Sequence, residues 1–187
     1  MFHRSLGVSV SKQIVSQLRK YHIDAILEGK NGVYYDCDMN ICSEEVLRIK
    51  TRHIKVGFYK GQTFDDPEID FDKLVIWTNE DSDFDAFHKE FKTILEFIHR
   101  GQNFYELVPL GFSKATGIKY LTDHLDIPYE NTYAIGDSTN DLSMLEYVKN
   151  SVAMGNSHPL LFDLVSFVTK DIEEDGIDYA LNHYNII

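Results

Sequence analysis

Two carboxylates and an amide lie close together in the sequence Gly136-Asp-Ser-Thr-Asn-Asp141. An apolar run at 133–135 precedes them and a helical pattern follows, which predicts a turn between a strand and a helix. Open parallel sheets bind ligands at the carboxyl ends of their strands, and a helix N-terminus attracts anions through its free N–H groups. The segment therefore predicts a site for a metal ion and a phosphate. The alternative is an ordinary acidic turn in which Ser138 or Thr139 caps the helix.

Strands and helices alternate through the C-terminal part of the chain, which predicts βαβ units and a parallel sheet. Ser113 is the expected N-cap of a helix that begins at Lys114. Further elements are expected at 133–135, 141–147, 151–154, after Pro159, at 166–169 and in a last helix ending near His183. We place a domain boundary near Glu106, which gives regions 1–105 and 106–187 and makes 106–108 the first strand of the second region.

The first region mixes helices and strands without βαβ order, as α+β domains do. The pattern predicts helices at 12–21 and after a Ser43 cap, and strands at 23–27, 33–35 and 73–77. The longest helix is expected at 84–99. Its apolar side would form a core face made of Phe84, Phe87, Phe91, Ile94, Leu95 and Ile98.

The composition limits the partners of the protein. The 187 residues carry a formal net charge of -12, with a pI near 5.0, so nucleic acids and anionic membranes would repel them. Cys37 and Cys42 form neither a disulfide framework nor a zinc pattern, and we expect both to be reduced thiols. The first residues have no apolar leader and no long apolar run follows, so we expect a cytoplasmic protein.

Four ordered motifs resemble the carboxyl-terminal half of Cof-type phosphatases of the haloacid dehalogenase (HAD) superfamily. They are Gly111-Phe-Ser-Lys114, Tyr133-Ala-Ile-Gly-Asp137-Ser-Thr-Asn140-Asp141, Val152-Ala-Met-Gly-Asn156 and Glu174-Asp-Gly-Ile177. The order of elements before them is similar to the cap domain of this subgroup. The resemblance implies an α/β fold, in which an inserted α+β cap domain occupies 1–105 and part of a Rossmann-like parallel-sheet core occupies 106–187.

The resemblance also implies a chemistry. It is Mg²⁺-dependent hydrolysis of a small phosphorylated metabolite through an aspartyl-phosphate. Asp137 matches the catalytic metal carboxylate, with Asp141 as a second metal ligand or its partner. Asn140 is placed to contact the phosphate, and Lys114 matches the catalytic lysine that holds the nucleophile and the phosphate together. Asn156 and His158 are read as caps and turn residues.

The sequence departs from the family in one respect. The first motif, an apolar strand ending in Asp-x-Asp-Gly-Thr, is absent, and so is the segment of the second motif. Asp36 and Asp38, with the Thr78-Asn79 pair after another apolar run, could imitate these parts in a compact, capless enzyme. Asp36 and Asp38 also fit a solvated hairpin end.

We therefore expect a cap domain and half of a core from a protein whose amino-terminal portion is missing, inactive by itself because it has no nucleophile. The rival hypothesis is a non-catalytic module that binds a metal and a phosphate. If the neighbouring strands are absent, the strand at 133–135 becomes an apolar sheet edge, and such an edge favours dimerisation.

Overall fold

A computed structural model describes residues 5–187 of the chain. Residues 1–4, on which part of the expectation about a leader falls, lie outside the described residues. The chain forms two compact units, of which the first ends at Leu110 and the second runs over Gly111–Ile187. Within residues 5–187, no helix combines the length and the apolar character needed to cross a membrane.

The elements of the first unit are α1 Val8–Lys20, β1 Asp24–Gly29, β2 Gly32–Tyr35, α2 Glu44–Lys55, β3 Lys73–Trp77, α3 Phe84–Phe91, β4 Leu95–Gly101 and β5 Phe104–Pro109. The five strands form one sheet with the order β2-β1-β3-β5-β4, and every neighbouring pair of strands is antiparallel. Ser43 caps α2, as expected, by accepting a hydrogen bond from Val46 N.

Alternation of side chains along the strands gives this sheet two different faces. On β3, Leu74 and Ile76 point into a core that also contains α1 and α3. Val75 and Trp77, on the other face of the same strand, pack into a smaller cluster with Val46 of α2. The first unit is therefore a sheet with helices on both faces.

The predicted long helix at 84–99 is wrong in its second half. The helix α3 ends at Phe91, and the chain continues as β4 from Leu95. Apolar residues at 95 and 97 fit a strand as well as a helix, because short apolar segments carry both periods. Pairing with β5 decides the outcome, since Phe97 lies opposite Leu107 in the antiparallel ladder.

The segment 106–108 is a strand, but it does not open the second region. It forms the middle of β5, which pairs antiparallel with both β3 and β4. The compact units accordingly divide after Leu110 rather than near Glu106. An apolar strand of this length carries no mark of the sheet it joins, so its partners had to come from the tertiary structure.

The second unit contains a three-stranded parallel sheet with the order β6-β7-β8. This confirms the alternation of strands and helices predicted for it. The elements are α4 Lys114–His124, β6 Tyr133–Gly136, α5 Leu142–Tyr147, β7 Asn150–Ala153, β8 Phe167–Val168 and α6 Gly176–His183. Because all three strands run in the same direction, the loops that follow them leave the sheet at the same end, where the strands have their carboxyl termini.

Asp36 and Asp38 each form an ion pair with a basic side chain of the first unit. Asp36 is buried and receives two hydrogen bonds from Arg19, at 2.9 Å and 2.6 Å, while the exposed Asp38 pairs with Lys50 at 2.6 Å. The compact, capless alternative is wrong, because β2 and β3, which would carry its motifs, belong to the antiparallel sheet and not to the sheet of β6.

Replacement of Asp36 by Asn should destabilise the first unit. Burial works to raise the pKa of Asp36, but the bonds from Arg19 and from Cys37 N–H outweigh it and lower the pKa. Loss of the charged bonds should cost about 1–3 kcal/mol at neutral pH. The difference should shrink as the pH falls below about 3.9, the pKa of unfolded Asp, and through the lower folded value.

Urea unfolding followed by the fluorescence of Trp77 measures this effect, because the chain contains one Trp and it lies in the first unit. The matched control is Asp38→Asn, in which an exposed carboxylate is lost while Lys50 keeps its hydrogen bond to Asp36 O at 3.2 Å. It should change stability by about 0–1 kcal/mol. Equal effects of the two substitutions at neutral pH would contradict the role given to Asp36.

Among residues 5–187, the strand β6 pairs with β7 alone and so lies at the edge of its sheet. An unpaired apolar edge can add a strand from another chain, so we expect this protein to self-associate through β6. Sedimentation velocity over a range of concentrations should show dimers or larger species, and the amides of β6 should become protected from hydrogen exchange as they form. A monomer at high concentration would refute the expectation.

Candidate active site

The turn after β6 brings its polar residues together at the carboxyl end of that strand. Gly136 is required at its start, since a Cβ there would lie 2.7 Å from the Cβ of Asp141. Asp137 follows with an exposed side chain, whereas Asp141 is buried with 7% of its surface exposed. The two carboxylates therefore sit in one turn but in different environments.

The buried carboxylate of Asp141 closes the turn. Its Oδ2 accepts hydrogen bonds from the backbone N–H groups of Asp137 at 3.1 Å and Ser138 at 3.5 Å, and its Oδ1 accepts one from Lys114 Nζ. Burial works to raise the pKa of Asp141, but Lys114 and the backbone donors outweigh it and lower the pKa below its ordinary value. The carboxylate is thus charged, and it holds a lysine ammonium beside the turn.

Lys114 is positioned by the start of α4. Ser113 caps this helix as the sequence predicted: its side chain accepts a hydrogen bond from Thr116 N at 3.2 Å, and Thr116 Oγ1 accepts one from Ser113 N at 2.9 Å. This reciprocal capping fixes the first turn of the helix. Lys114 follows directly, and about half of its side chain is exposed, so its ammonium can contact both Asp141 and a ligand.

Asn140 points its side chain toward another member of the same turn. Its Oδ1 accepts a hydrogen bond from Ser138 Oγ. Its amide nitrogen donates no hydrogen bond to any residue between 5 and 187, and an amide N–H₂ is a donor suited to a phosphate oxygen. The bond to Ser138 therefore orients a free donor.

The loops after β7 and β8 support the turn through the backbone. Met154 N donates to Gly136 O at 3.0 Å, and His158 N donates to Asp137 O at 3.1 Å. The side chain of Asn156 accepts from Ile172 N at 3.2 Å, which ties the loop after β7 to the loop after β8. His158 caps a short 3₁₀ turn through its Nδ1. Asn156 and His158 thus act as the caps and turn residues that the sequence indicated.

The donor set of the turn fits a weakly held Mg²⁺. Mg²⁺ uses one or two carboxylates and keeps several waters, and the exposed carboxylate of Asp137 makes no hydrogen bond within the described part of the chain. Asp141 lies next to it, although both oxygens of Asp141 already accept hydrogen bonds. Over residues 5–187 there is no cluster of three or more His, Cys, Asp or Glu side chains that could hold a metal.

Sequence reasoning did not identify two features of this site. The first is the bond between Ser138 and Asn140, and the second is the use of Asp141 as a clamp on the turn and on Lys114. The Ser138-x-x-Asp141 spacing is that of a capping pattern, which was the available signal for the second feature. No sequence signal indicates the bond between Ser138 and Asn140, because that bond depends on the rotamers of both side chains.

The chain is similar to several known proteins. A family profile described as haloacid dehalogenase-like hydrolase matches residues 1–181. The Bacillus subtilis protein 5-amino-6-(5-phospho-D-ribitylamino)uracil phosphatase YitU is 28% identical over 98% of this chain and 68% of its own length. Phosphatase YwpJ of the same organism is 36% identical over 48% of this chain and 31% of its own length.

A solved structure of a HAD subclass IIB sugar phosphatase superposes with a TM-score of 0.74 at 21% identity, over 100% of this chain and 70% of that chain. A haloacid dehalogenase-like hydrolase from B. subtilis gives a TM-score of 0.74 at 22% identity, over 98% and 73%. These likenesses show the fold. The matched regions cover a third or less of some curated relatives, for instance 32% of one B. subtilis protein.

Proposed function

Because the chain belongs to the family of haloacid dehalogenase-like hydrolases, we propose that it provides the phosphate-binding and metal-binding part of a phosphatase that acts on a small phosphorylated metabolite. The observation that carries the proposal is the ion pair between Lys114 and Asp141, which lies beside the exposed carboxylate of Asp137. The turn carries an amide donor and a free carboxylate and has a cation held beside it, and these groups together suit a phosphate ester and its counterion. The relatives named as phosphatases support this reaction class.

Each residue has a separate role in the proposed site. Lys114 neutralises charge on the phosphoryl oxygens, and Asn140 donates a hydrogen bond to one of them. Asp141 fixes the position of Lys114 and of the turn, so it acts as a positioning residue. Asp137 is the main protein ligand for Mg²⁺, with Asp141 beside it, and a bound Mg²⁺ would offset negative charge on the phosphate.

In the proposed reaction an aspartate carboxylate attacks phosphorus, the bond from phosphorus to the ester oxygen breaks, and the alcohol leaves after taking a proton from solvent. Water then hydrolyses the aspartyl-phosphate to inorganic phosphate and the free aspartate. No Asp-x-Asp-Gly-Thr motif occurs in the sequence, and Asp36 and Asp38 are engaged with Arg19 and Lys50. We therefore infer that neither Asp36 nor Asp38 is the nucleophile. We also propose that the protein is cytoplasmic. Its two exposed free cysteines, Cys37 and Cys42, suit that compartment because thiols are kept reduced there.

Mg²⁺ should bind weakly. With one free carboxylate in the turn, the ion keeps most of its water, so titration calorimetry should show millimolar affinity or none. Asp137→Asn should remove whatever binding is present. The matched control is Asp123→Asn, since Asp123 pairs with Lys119 on the exposed side of α4. Tight binding that is lost in Asp36→Asn would contradict the assignment of the metal to Asp137.

The chain by itself should not turn over p-nitrophenyl phosphate with Mg²⁺ above the background rate, because loss of a covalent nucleophile removes the reaction path. Fusion to a segment that carries Asp-x-Asp-Gly-Thr should restore hydrolysis. In the fused protein, Lys114→Met should then lower kcat/KM by about 100-fold or more. Lys119→Met, on the same helix, should leave kcat/KM unchanged.

Two outcomes would overturn parts of this proposal. Turnover by the unaltered chain that is abolished in Asp36→Asn would show that the enzyme is complete and uses Asp36. A fused protein that stays inactive, yet binds inorganic phosphate in a manner dependent on Lys114 and Asn140, would favour the non-catalytic binding module.

A further inference from the structure

A small pocket of about 330 Å³ opens in the first unit between α1, the start of β1 and the segment 36–42. Its volume lies at the lower end of the range of small-molecule sites. Buried apolar side chains, among them Leu18 and Phe64, form part of its wall. The titratable side chains that line it are Arg19, His22, Asp24, Asp36 and Cys42.

Asp24 is a buried carboxylate without a counter-cation. It is 8% exposed, and its Oδ2 accepts hydrogen bonds from the backbone N–H groups of Cys42, at 2.9 Å, and of Ser43. It forms no ion pair with any Lys, Arg or His between residues 5 and 187. Buried charges in proteins are ordinarily paired, so this carboxylate lacks the partner that its burial calls for.

The second oxygen of Asp24 faces the pocket. Oδ1 accepts no hydrogen bond from any residue between 5 and 187, yet it is not one of the fully buried oxygen atoms in that range that lack a partner. It is therefore accessible from outside the protein, and the pocket that Asp24 lines provides the access. The carboxylate thus presents one free oxygen to the pocket.

Asp36, in the same pocket, has the cation that Asp24 lacks. Arg19 donates two hydrogen bonds to Asp36 and lowers the pKa of that carboxyl in spite of its burial. At Asp24, burial outweighs the two backbone hydrogen bonds and raises the pKa. Arg19 is already shared between Asp36 and Asp65. A cation from another source would stabilise the charge of Asp24 as Arg19 stabilises that of Asp36.

The pocket favours an ammonium group over other cations. A single free oxygen suits a compact ammonium, whereas a guanidinium binds best through two oxygens. A metal ion would need more ligands, and no cluster of three or more His, Cys, Asp or Glu side chains among residues 5–187 could hold one. The apolar wall and the exposed side chain of Met39, which also lines the pocket, can cover an alkyl chain.

We propose that this pocket binds a small ligand that carries a primary ammonium group on a short alkyl chain. The ammonium donates a hydrogen bond to Oδ1 of Asp24, and the chain lies along the apolar wall beside Met39. The site uses residues of the first unit alone, and it is independent of the proposed phosphatase reaction.

Butylammonium chloride is the probe, and two compounds with the same alkyl chain are its controls. 1-Butanol has no charge, and butyltrimethylammonium has the charge but no N–H donor. In a buffer without amines, butylammonium should shift the backbone amide resonances of Cys42 and Ser43 in a saturable manner, because both N–H groups bond to the carboxylate that it contacts. Each control should bind about tenfold more weakly, through loss of a charged hydrogen bond.

The two cysteines offer an internal comparison in the same sample. Both are exposed, and Cys42 lines the pocket whereas Cys37 lies outside it. Bound butylammonium should slow the alkylation of Cys42 by iodoacetamide and leave the rate at Cys37 unchanged. Fragmentation mass spectrometry of the alkylated chain measures the two rates separately.

Two substitutions test the role of the carboxylate. Asp24→Asn should weaken binding about tenfold or more, because the amide oxygen can keep the backbone bonds while its N–H₂ group replaces the acceptor in the pocket. Asp38→Asn is the matched control, since it removes the same charge from an exposed residue that pairs with Lys50. It should change the affinity by less than about twofold, because solvent and salt screen an exposed charge. If Asp24→Asn does not fold, the three compounds compared on the unaltered chain decide the question.

The proposal is overturned if butylammonium at millimolar concentration leaves the amides of Cys42 and Ser43 unchanged, or if either control compound binds as well as butylammonium. Equal protection of Cys37 and Cys42 would also overturn it, as would equal effects of Asp24→Asn and Asp38→Asn on the affinity.

Discussion

The ion pair between Lys114 and the buried Asp141 is the interaction on which the candidate active site depends. Asp141 accepts hydrogen bonds from Lys114 and from the backbone of the turn, so one carboxylate sets the position of the cation and the path of the chain past Asp137. Removal of the carboxylate would leave the part-buried N–H donors of Asp137 and Ser138 without this partner, which destabilises the turn. Gly136 is part of the same constraint, since no larger residue fits against Asp141. Charge placement and backbone shape are therefore set by one contact.

In the first unit, the alternation of side chains along the strands separates two apolar clusters, one on each face of the sheet. One face of each strand builds the large core under α1 and α3. The other face builds a smaller cluster beside α2, in which Trp77 stacks on Phe104. The ion pair of Arg19 with Asp36 ties α1 to the end of β2, so acidic residues that resemble a catalytic motif in the sequence serve stability instead. The same residue type thus has a structural role in one unit and a proposed chemical role in the other.

The sequence predicted the second unit well and the first unit less well, for physical reasons. The turn at 136–141 follows a strand of a parallel sheet, and local signals such as the Ser113 cap and the strand at 133–135 determine most of its geometry. In the first unit, the sequence predicts a helix over 84–99 that includes the start of β4, because a short apolar segment carries both periods. Its true state depends on pairing with β5, and the sheet that β5 joins is not encoded locally. The stacking of Trp77 on Phe104 could not be predicted either, since the antiparallel register brings the two residues together from distant parts of the chain.

A double-mutant cycle on Lys114 and Asp141 tests the central claim most directly. The free energy of opening of the second unit is measured from the slowest-exchanging backbone amides of β7, in the unaltered chain, in Lys114→Met, in Asp141→Asn and in the double variant. If Asp141 positions Lys114, the two substitutions should be non-additive by about 1 kcal/mol, the size expected for contacting residues whose ammonium is half exposed. Fully additive effects would show that the two side chains do not interact in solution, and the account of the site given above would then be wrong.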